Sequence, residues 1–280
     1  MDRMQGTRKG LAVAAAALGI MASPAGAQEH FDVLLYEDAG GDLAVGAVDV
    51  DTLEATIGPV VIEGELLGDT LSATPSFAAV DPGFFSYSDT VVGAGPTGFP
   101  AGADNLPGSA LVSLDFQLEP TLNLSLAYWD DGTGTWETPA VGETLGLSTL
   151  LDPGGSLDGA SEVLDMDLAT TSATGLLDDH PDFVLSTGSR TGVYLAYGQA
   201  EVAGFSGPSD PFWIVFGTLD ECEETLSCNA SQDAFNLDIE EQIETAISYT
   251  TSFLVPEPAT STLAALGLTG LSLLGRRRRI

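Results

Sequence analysis

Short runs of alternating apolar and polar residues, separated by glycine- and proline-rich turns, fill most of the chain. Such runs are typical of β-strands that bury one face and expose the other. We count roughly 9 to 12 of them, at the spacing expected of an antiparallel sandwich or barrel. The predicted strands are His30–Tyr36, Leu43–Val50, Thr56–Leu66, Ala110–Phe116, Leu122–Trp129, Thr144–Leu150, Ser161–Thr171, Phe183–Ser186, Val193–Val202 and Phe212–Leu219. The third of these is interrupted by Gly58–Pro59.

Two of these runs predict more than a strand. Residues Phe212–Phe216 are apolar at every position, which indicates a strand in the middle of a sheet. The turn residues Asp130–Gly134 predict a hairpin in which Trp129 and Trp136 pack against each other. Between the later strands, Leu151–Leu157 is expected to be loop.

Near the end of the apolar pattern the period changes from two to about 3.6 residues. Leu237, Ile239 and Ile243 then fall on one helical face. We predict a short helix over residues 238–250, with Asp238 as its N-cap. The expected fold is therefore mainly β, an antiparallel β-sandwich or barrel-like domain with one short C-terminal helix.

The N-terminus reads as an export signal. Arg3, Arg8 and Lys9 precede the apolar stretch Leu11–Met21, and the small residues Ala25–Ala27 follow it. This order is that of a secretory signal peptide, which signal peptidase removes. We assign residues 1–27 to it and residues 28–254 to one domain.

The C-terminus has a second three-part pattern in residues 255–280. It consists of Pro256, Glu257 and Pro258, then the apolar segment Leu263–Leu274, then four arginines, Arg276, Arg277, Arg278 and Arg279. This order resembles the PEP-CTERM sorting signal of Gram-negative and related bacteria. The resemblance implies transient insertion in the inner membrane, cleavage by an exosortase-type enzyme, and delivery to the cell surface or exterior. An uncleaved C-terminal membrane anchor is the alternative.

The excess of acidic residues restricts the classes of partner that the protein can bind. Residues 28–254 contain 39 acidic residues against a single basic one, Arg190. A nucleic-acid partner is excluded, because phosphate contacts need lysine and arginine. Two interpretations stay open: a solvated acidic surface suited to a saline exterior, and a protein that captures cations.

The two cysteines, Cys222 and Cys228, enclose five residues in an acidic loop. In an exported protein this spacing favours a structural disulfide. A redox or metal role is the alternative, but no histidine is near in sequence.

Two histidines suggest a metal site. His30 with Asp32, and His180 with Asp182, each form an H-x-D pattern at the start of a predicted strand. Residues two apart in a strand face the same side, so each pair can present two ligands together. Imidazole and carboxylate suit zinc or another divalent cation. Two exposed histidines at strand starts are the alternative.

Signatures of common enzyme classes are absent, including G-x-S-x-G, H-E-x-x-H and phosphate-binding loops. We therefore expect an exported, surface-sorted, non-enzymatic envelope or extracellular-matrix protein. The alternative is a carbohydrate-binding or carbohydrate-active sandwich that acts on exopolysaccharide, with Trp129, Trp136 and Trp213 as stacking residues.

Several short motifs of residues 28–254 carry a second resemblance: His30–Val33, Asp81–Phe84, Leu124–Trp129, His180–Phe183, Gly192–Leu195 and Ser209–Phe216. Together they resemble a family of exported PEP-CTERM proteins from cyanobacteria and planctomycetes. Some members of that family are controlled by the zinc-uptake repressor, so the resemblance implies a zinc-related role. In the family an H-x-H-F type motif stands where this chain has His180-Pro181-Asp182-Phe183, so the second histidine is replaced by Asp182.

Overall fold

The computed structural model describes residues 31–49, 52–72, 75–79, 81–87, 98–99, 102–222 and 228–255. These residues form 16 strands and one long helix, so the predicted mainly β fold is confirmed. The predicted signal peptide, His30 and the predicted sorting signal from residue 256 lie outside the described residues. In chain order the strands are β1 Phe31–Glu37, β2 Leu43–Asp49, β3 Glu54–Ile57, β4 Val60–Gly68, β5 Phe77–Ala79, β6 Phe84–Ser86, β7 Leu111–Phe116, β8 Leu126–Asp130, β9 Thr135–Glu137, β10 Leu145–Ser148, β11 Gly155–Leu157, β12 Val163–Thr170, β13 Leu177–Asp179, β14 Asp182–Leu185, β15 Val193–Val202 and β16 Phe212–Asp220.

The strands form two curled sheets. The small sheet has the order β13-β6-β1-β2-β3, and the large one runs β11-β10-β14-β5-β4-β16-β15-β7-β12, with the β8–β9 hairpin attached through β15. Most pairs are antiparallel, as predicted, but β16 with β4 and β1 with β6 are parallel. Long connections separate the strands of both pairs, and such connections permit parallel pairing. Both sheets are therefore mixed.

Alternation along each strand divides the apolar residues among three cores. The largest lies between the sheets and includes Val33 and Leu35 of β1 and Phe212 of β16. A second lies between the large sheet and the C-terminal helix, and includes Trp213 and Ile243. A third covers the outer face of the small sheet.

Local pattern located most strands but not the shortest ones. The mid-sheet position of Phe212–Phe216 is confirmed: β16 is buried along its whole length and lies between β4 and β15. The Asp130–Gly134 hairpin is confirmed as well. The interruption predicted at Gly58–Pro59 is confirmed, because it separates β3 from β4. The expected loop Leu151–Leu157, in contrast, contains β11. Strands of three residues are too short to show a period.

The helix, α1, extends over Ala230–Phe253 and is longer than predicted. Its N-cap is Asn229, whose side chain accepts hydrogen bonds from the backbone N–H groups of Ser231 and Gln232. Gln232 completes a capping box. Asp238, the predicted cap, lies eight residues after Ala230, in the third turn of the helix, so that prediction was wrong.

We find no helix within the described ranges that is both long enough and apolar enough to cross a membrane.

Candidate metal centre

Three side chains meet where the chain passes between the two sheets. Asp32 lies in β1 of the small sheet, Asp81 in the turn from β5 to β6, and His180 between β13 and β14. Both of these connections lead from one sheet to the other. One ligand atom from each side chain lies within 4.8 Å of the other two. We call these three residues the cation cluster.

Asp32 is the buried member of the cluster, with only 3% of its surface exposed. Strand alternation places it on the side of β1 that also carries Leu34 and Tyr36, away from the core between the sheets. Its Oδ1 accepts a 2.7 Å hydrogen bond from the N–H of Gly83. Burial raises the pKa of the Asp32 carboxyl above its ordinary value, although the Gly83 bond and the nearby His180 oppose this effect. A positive charge beside Asp32 would favour its ionised form.

His180 is flanked by carboxylates on both sides of its ring. Its Nδ1 lies 3.1 Å from Oδ1 of Asp81, and its Nε2 lies 3.6 Å from Oδ1 of Asp178. A neutral imidazole has one N–H donor and one acceptor nitrogen, so one carboxylate then faces a lone pair. A second proton or a metal ion removes this repulsion. The His180 side chain is 38% exposed, which leaves the cluster open to solvent.

The structure unites only part of the predicted ligand set. Asp32 and His180 come together, although 148 positions separate them in the chain. Asp182 lies apart from the cluster, on β14 opposite Ser148, with its side chain exposed. The H-x-D pairing of His180 with Asp182 therefore does not form one site. His30 lies outside the described residues.

Asp81 is the ligand that the sequence did not single out. It belongs to Asp81-Pro82-Gly83, which predicts a turn and nothing more. The hydrogen bond from Gly83 to Asp32 spans 51 positions, and the contact from His180 to Asp81 spans 99. No local pattern reports contacts at such separations.

One imidazole and two carboxylates form a donor set for zinc or another first-row divalent cation. Zinc sites with three protein ligands keep a further position for water or a fourth ligand. The described residues contain no other cluster of this kind. These three side chains are therefore the ones in the described ranges that could hold a cation together.

The three tryptophans are not available as a stacking surface for sugars. Trp129 and Trp213 are each 1% exposed and Trp136 is 7% exposed. The rings of Trp129 and Trp136 pack edge to face across the hairpin, with centroids 5.1 Å apart. Helix α1 covers them, and Trp136 donates a hydrogen bond to Thr250. The predicted packing of Trp129 against Trp136 is therefore confirmed, and the sugar stacking given as the alternative is corrected to core packing for all three tryptophans.

Cys222 and Cys228 form a disulfide just before α1. Asp220, the last residue of β16, accepts hydrogen bonds from the backbone of Cys222 and from the side chains of Thr70 and Gln232. These contacts connect the start of the helix to the large sheet.

No protein-family model and no curated protein matches the chain. Among solved structures, the N-terminal domain of PorA is similar over 59% of this chain and 90% of its own length, with 7% identity and a TM-score of 0.27. A likeness at this level supports no argument about function.

Proposed function

We propose that the protein is an exported, surface-sorted, non-enzymatic component of the envelope or extracellular matrix, and that it binds a divalent metal ion through Asp32, Asp81 and His180. The two terminal signals support the destination. The excess of acidic residues supports attraction of cations. The absence of enzyme motifs in the sequence supports a binding role.

The observation that favours metal binding most strongly is the convergence of the cation cluster. Its three side chains come from three separate segments of the chain, and the carboxylate of Asp32 is buried. A buried carboxylate beside other carboxylates is unfavourable without a compensating positive charge. A bound zinc ion would supply that charge. It would also connect the β5–β6 turn with the β13–β14 connection, the two segments that lead from one sheet to the other.

Metal analysis and calorimetry with Zn²⁺ on the purified protein, residues 28–254, test this proposal. We expect one bound zinc ion per chain and a higher Tm in its presence, since zinc at about 100 times its Kd adds about 2.7 kcal/mol of stability. His180→Ala and Asp32→Asn should each weaken zinc binding at least tenfold, by about 1.4 kcal/mol or more.

Asp182→Asn is the matched control, because it removes a carboxylate two residues from His180 without touching the cluster. It should keep the affinity of the unaltered protein. His30→Ala tests whether the second histidine supplies a further ligand. A chain that retains no zinc and shows no thermal shift on adding zinc would contradict the proposal.

The proposed destination has its own test. In the native host, the mature protein should be recovered from the surface or exterior, with a mass that reflects removal of both terminal signals. Replacing Glu257, or the prolines on either side of it, should leave a longer, membrane-associated form. Uncleaved full-length protein in the cytoplasm would overturn this part of the proposal.

A further inference from the structure

The backbone of Gly83 forms hydrogen bonds with two consecutive residues of β1, Asp32 of the cation cluster and Val33. Its N–H donates the 2.7 Å hydrogen bond to Oδ1 of Asp32, and its carbonyl accepts a 3.0 Å hydrogen bond from the N–H of Val33. Both bonds tie the turn before β6 to the start of β1. Gly83 therefore fixes the direction in which the Asp32 carboxylate points.

The missing side chain of Gly83 has a second effect on the cluster. A Cβ atom at this position would lie 2.7 Å from Nδ1 and 2.8 Å from Nε2 of His180. The imidazole thus occupies the space that any larger residue would fill. Since both backbone bonds hold Gly83 in place, the imidazole would have to move rather than the turn.

Backbone conformation does not require glycine here. Gly83 is not among the glycines with positive φ, so alanine can adopt its conformation. The clash with His180 is the specific cost of a side chain at this position. This distinguishes Gly83 from turn glycines such as Gly41 and Gly134, where a positive φ alone disfavours alanine.

We infer that Gly83 is the positioning residue of the cation cluster: its N–H orients Asp32, and its lack of a side chain admits the His180 imidazole beside Asp81. This inference rests on the proposed metal binding and identifies the residue that sets its geometry. Any side chain at position 83 displaces the imidazole from the other two ligands.

Gly83→Ala tests the inference in calorimetry with Zn²⁺. We expect at least a tenfold loss of zinc affinity and a lower Tm. Gly217→Ala is the matched control, because a Cβ there would lie 2.9 Å from Cγ1 of Ile243, in the core beneath α1, which contains no residue of the cation cluster. It should also lower the Tm but leave the zinc affinity unchanged, which separates positioning from general loss of stability.

The double variant Gly83→Ala/His180→Ala provides a readout that does not depend on metal. Removing the imidazole removes the clash, so the double variant should recover Tm relative to Gly83→Ala alone, while zinc affinity stays low. Wild-type zinc affinity in Gly83→Ala, or no recovery of Tm in the double variant, would overturn the inference. If the unaltered protein binds no zinc but Tm still recovers, the proposed function fails and the steric role of Gly83 stands.

Discussion

Arg190 is the single lysine or arginine of residues 28–254, and its guanidinium is surrounded by acceptors. Its Nε and Nη2 each donate a 2.8 Å hydrogen bond to Glu143, and its Nη1 lies 3.1 Å from Glu137. The guanidinium also lies 3.7 Å from the centre of the Tyr128 ring. Burial alone would raise the pKa of the Glu143 carboxyl, but the hydrogen bonds from Arg190 and Ala140 and the charge of Arg190 together outweigh burial and lower that pKa to about 2. The one positive side chain thus has a structural role.

Glu143→Gln should therefore destabilise the protein. The folded-state pKa is lower than the ordinary 4.5, so the ion pair stabilises the fold above pH 4.5, and this contribution disappears as the pH falls towards 2. We expect a loss of about 3 kcal/mol at pH 7 and a difference near zero at pH 2, measured by chemical unfolding. Glu137→Gln is the control: its side chain is 44% exposed, so its loss should cost less than about 1 kcal/mol. Equal costs at pH 7 and pH 2 would argue against this role.

At the scale of elements, the start of α1 is set by its capping residues and not by the first residue of its apolar face. The apolar face is recognisable only from residue 236 onward, because the first turns are polar. The helix nevertheless begins at Ala230, since Asn229 and Gln232 satisfy the free N–H groups at its start. Asn229 also begins the match to a glycosylation sequon, Asn229–Ser231, but its side chain is used as the cap.

Asn229→Ala should cost about 1 kcal/mol of stability, the usual effect of removing an N-cap. Asp238→Ala tests the cap expected from the sequence. Asp238 bonds only to Gln242 among the described contacts and is exposed, so its loss should cost less than about 0.5 kcal/mol. Thermal unfolding of both variants decides whether Asn229 or Asp238 is the N-cap of the helix. A larger cost for Asp238→Ala would contradict the observed helix boundary.

At the scale of the whole molecule, negative charge opposes the folded state. Residues 28–254 contain 39 acids and one base, and such an excess repels itself in a compact chain. Raising ionic strength from about 0.01 M to about 0.15 M shortens the screening length from about 30 Å to about 8 Å. The repulsion should therefore weaken sharply over this range.

We expect the Tm of the purified domain to rise as sodium chloride is added over this range. His180→Ala should show the same rise, since screening does not depend on the cation cluster, whereas the additional stabilisation by zinc should be absent from that variant. A Tm that is independent of salt would show that repulsion between the acidic residues does not lower the stability of the folded domain.

The sequence by itself determined what depends on neighbouring residues. Short apolar–polar alternation located most of the longer strands. The continuous apolar run Phe212–Phe216 indicated the fully buried strand, β16. The residue patterns at the two termini and the acidic charge are likewise features of the sequence. Spacing alone also brought Cys222 and Cys228 within reach of a disulfide, because only five residues separate them.

Only the tertiary structure decided which distant residues meet. It placed Asp81 beside Asp32 and His180, separated Asp182 from them, and buried the tryptophans beneath α1. It also paired β4 with β16 in parallel. These outcomes depend on how the two sheets and the helix pack, and packing unites residues far apart in the chain. A local hydrophobic period shows which side of a strand is buried, but it does not show which other segment covers that side.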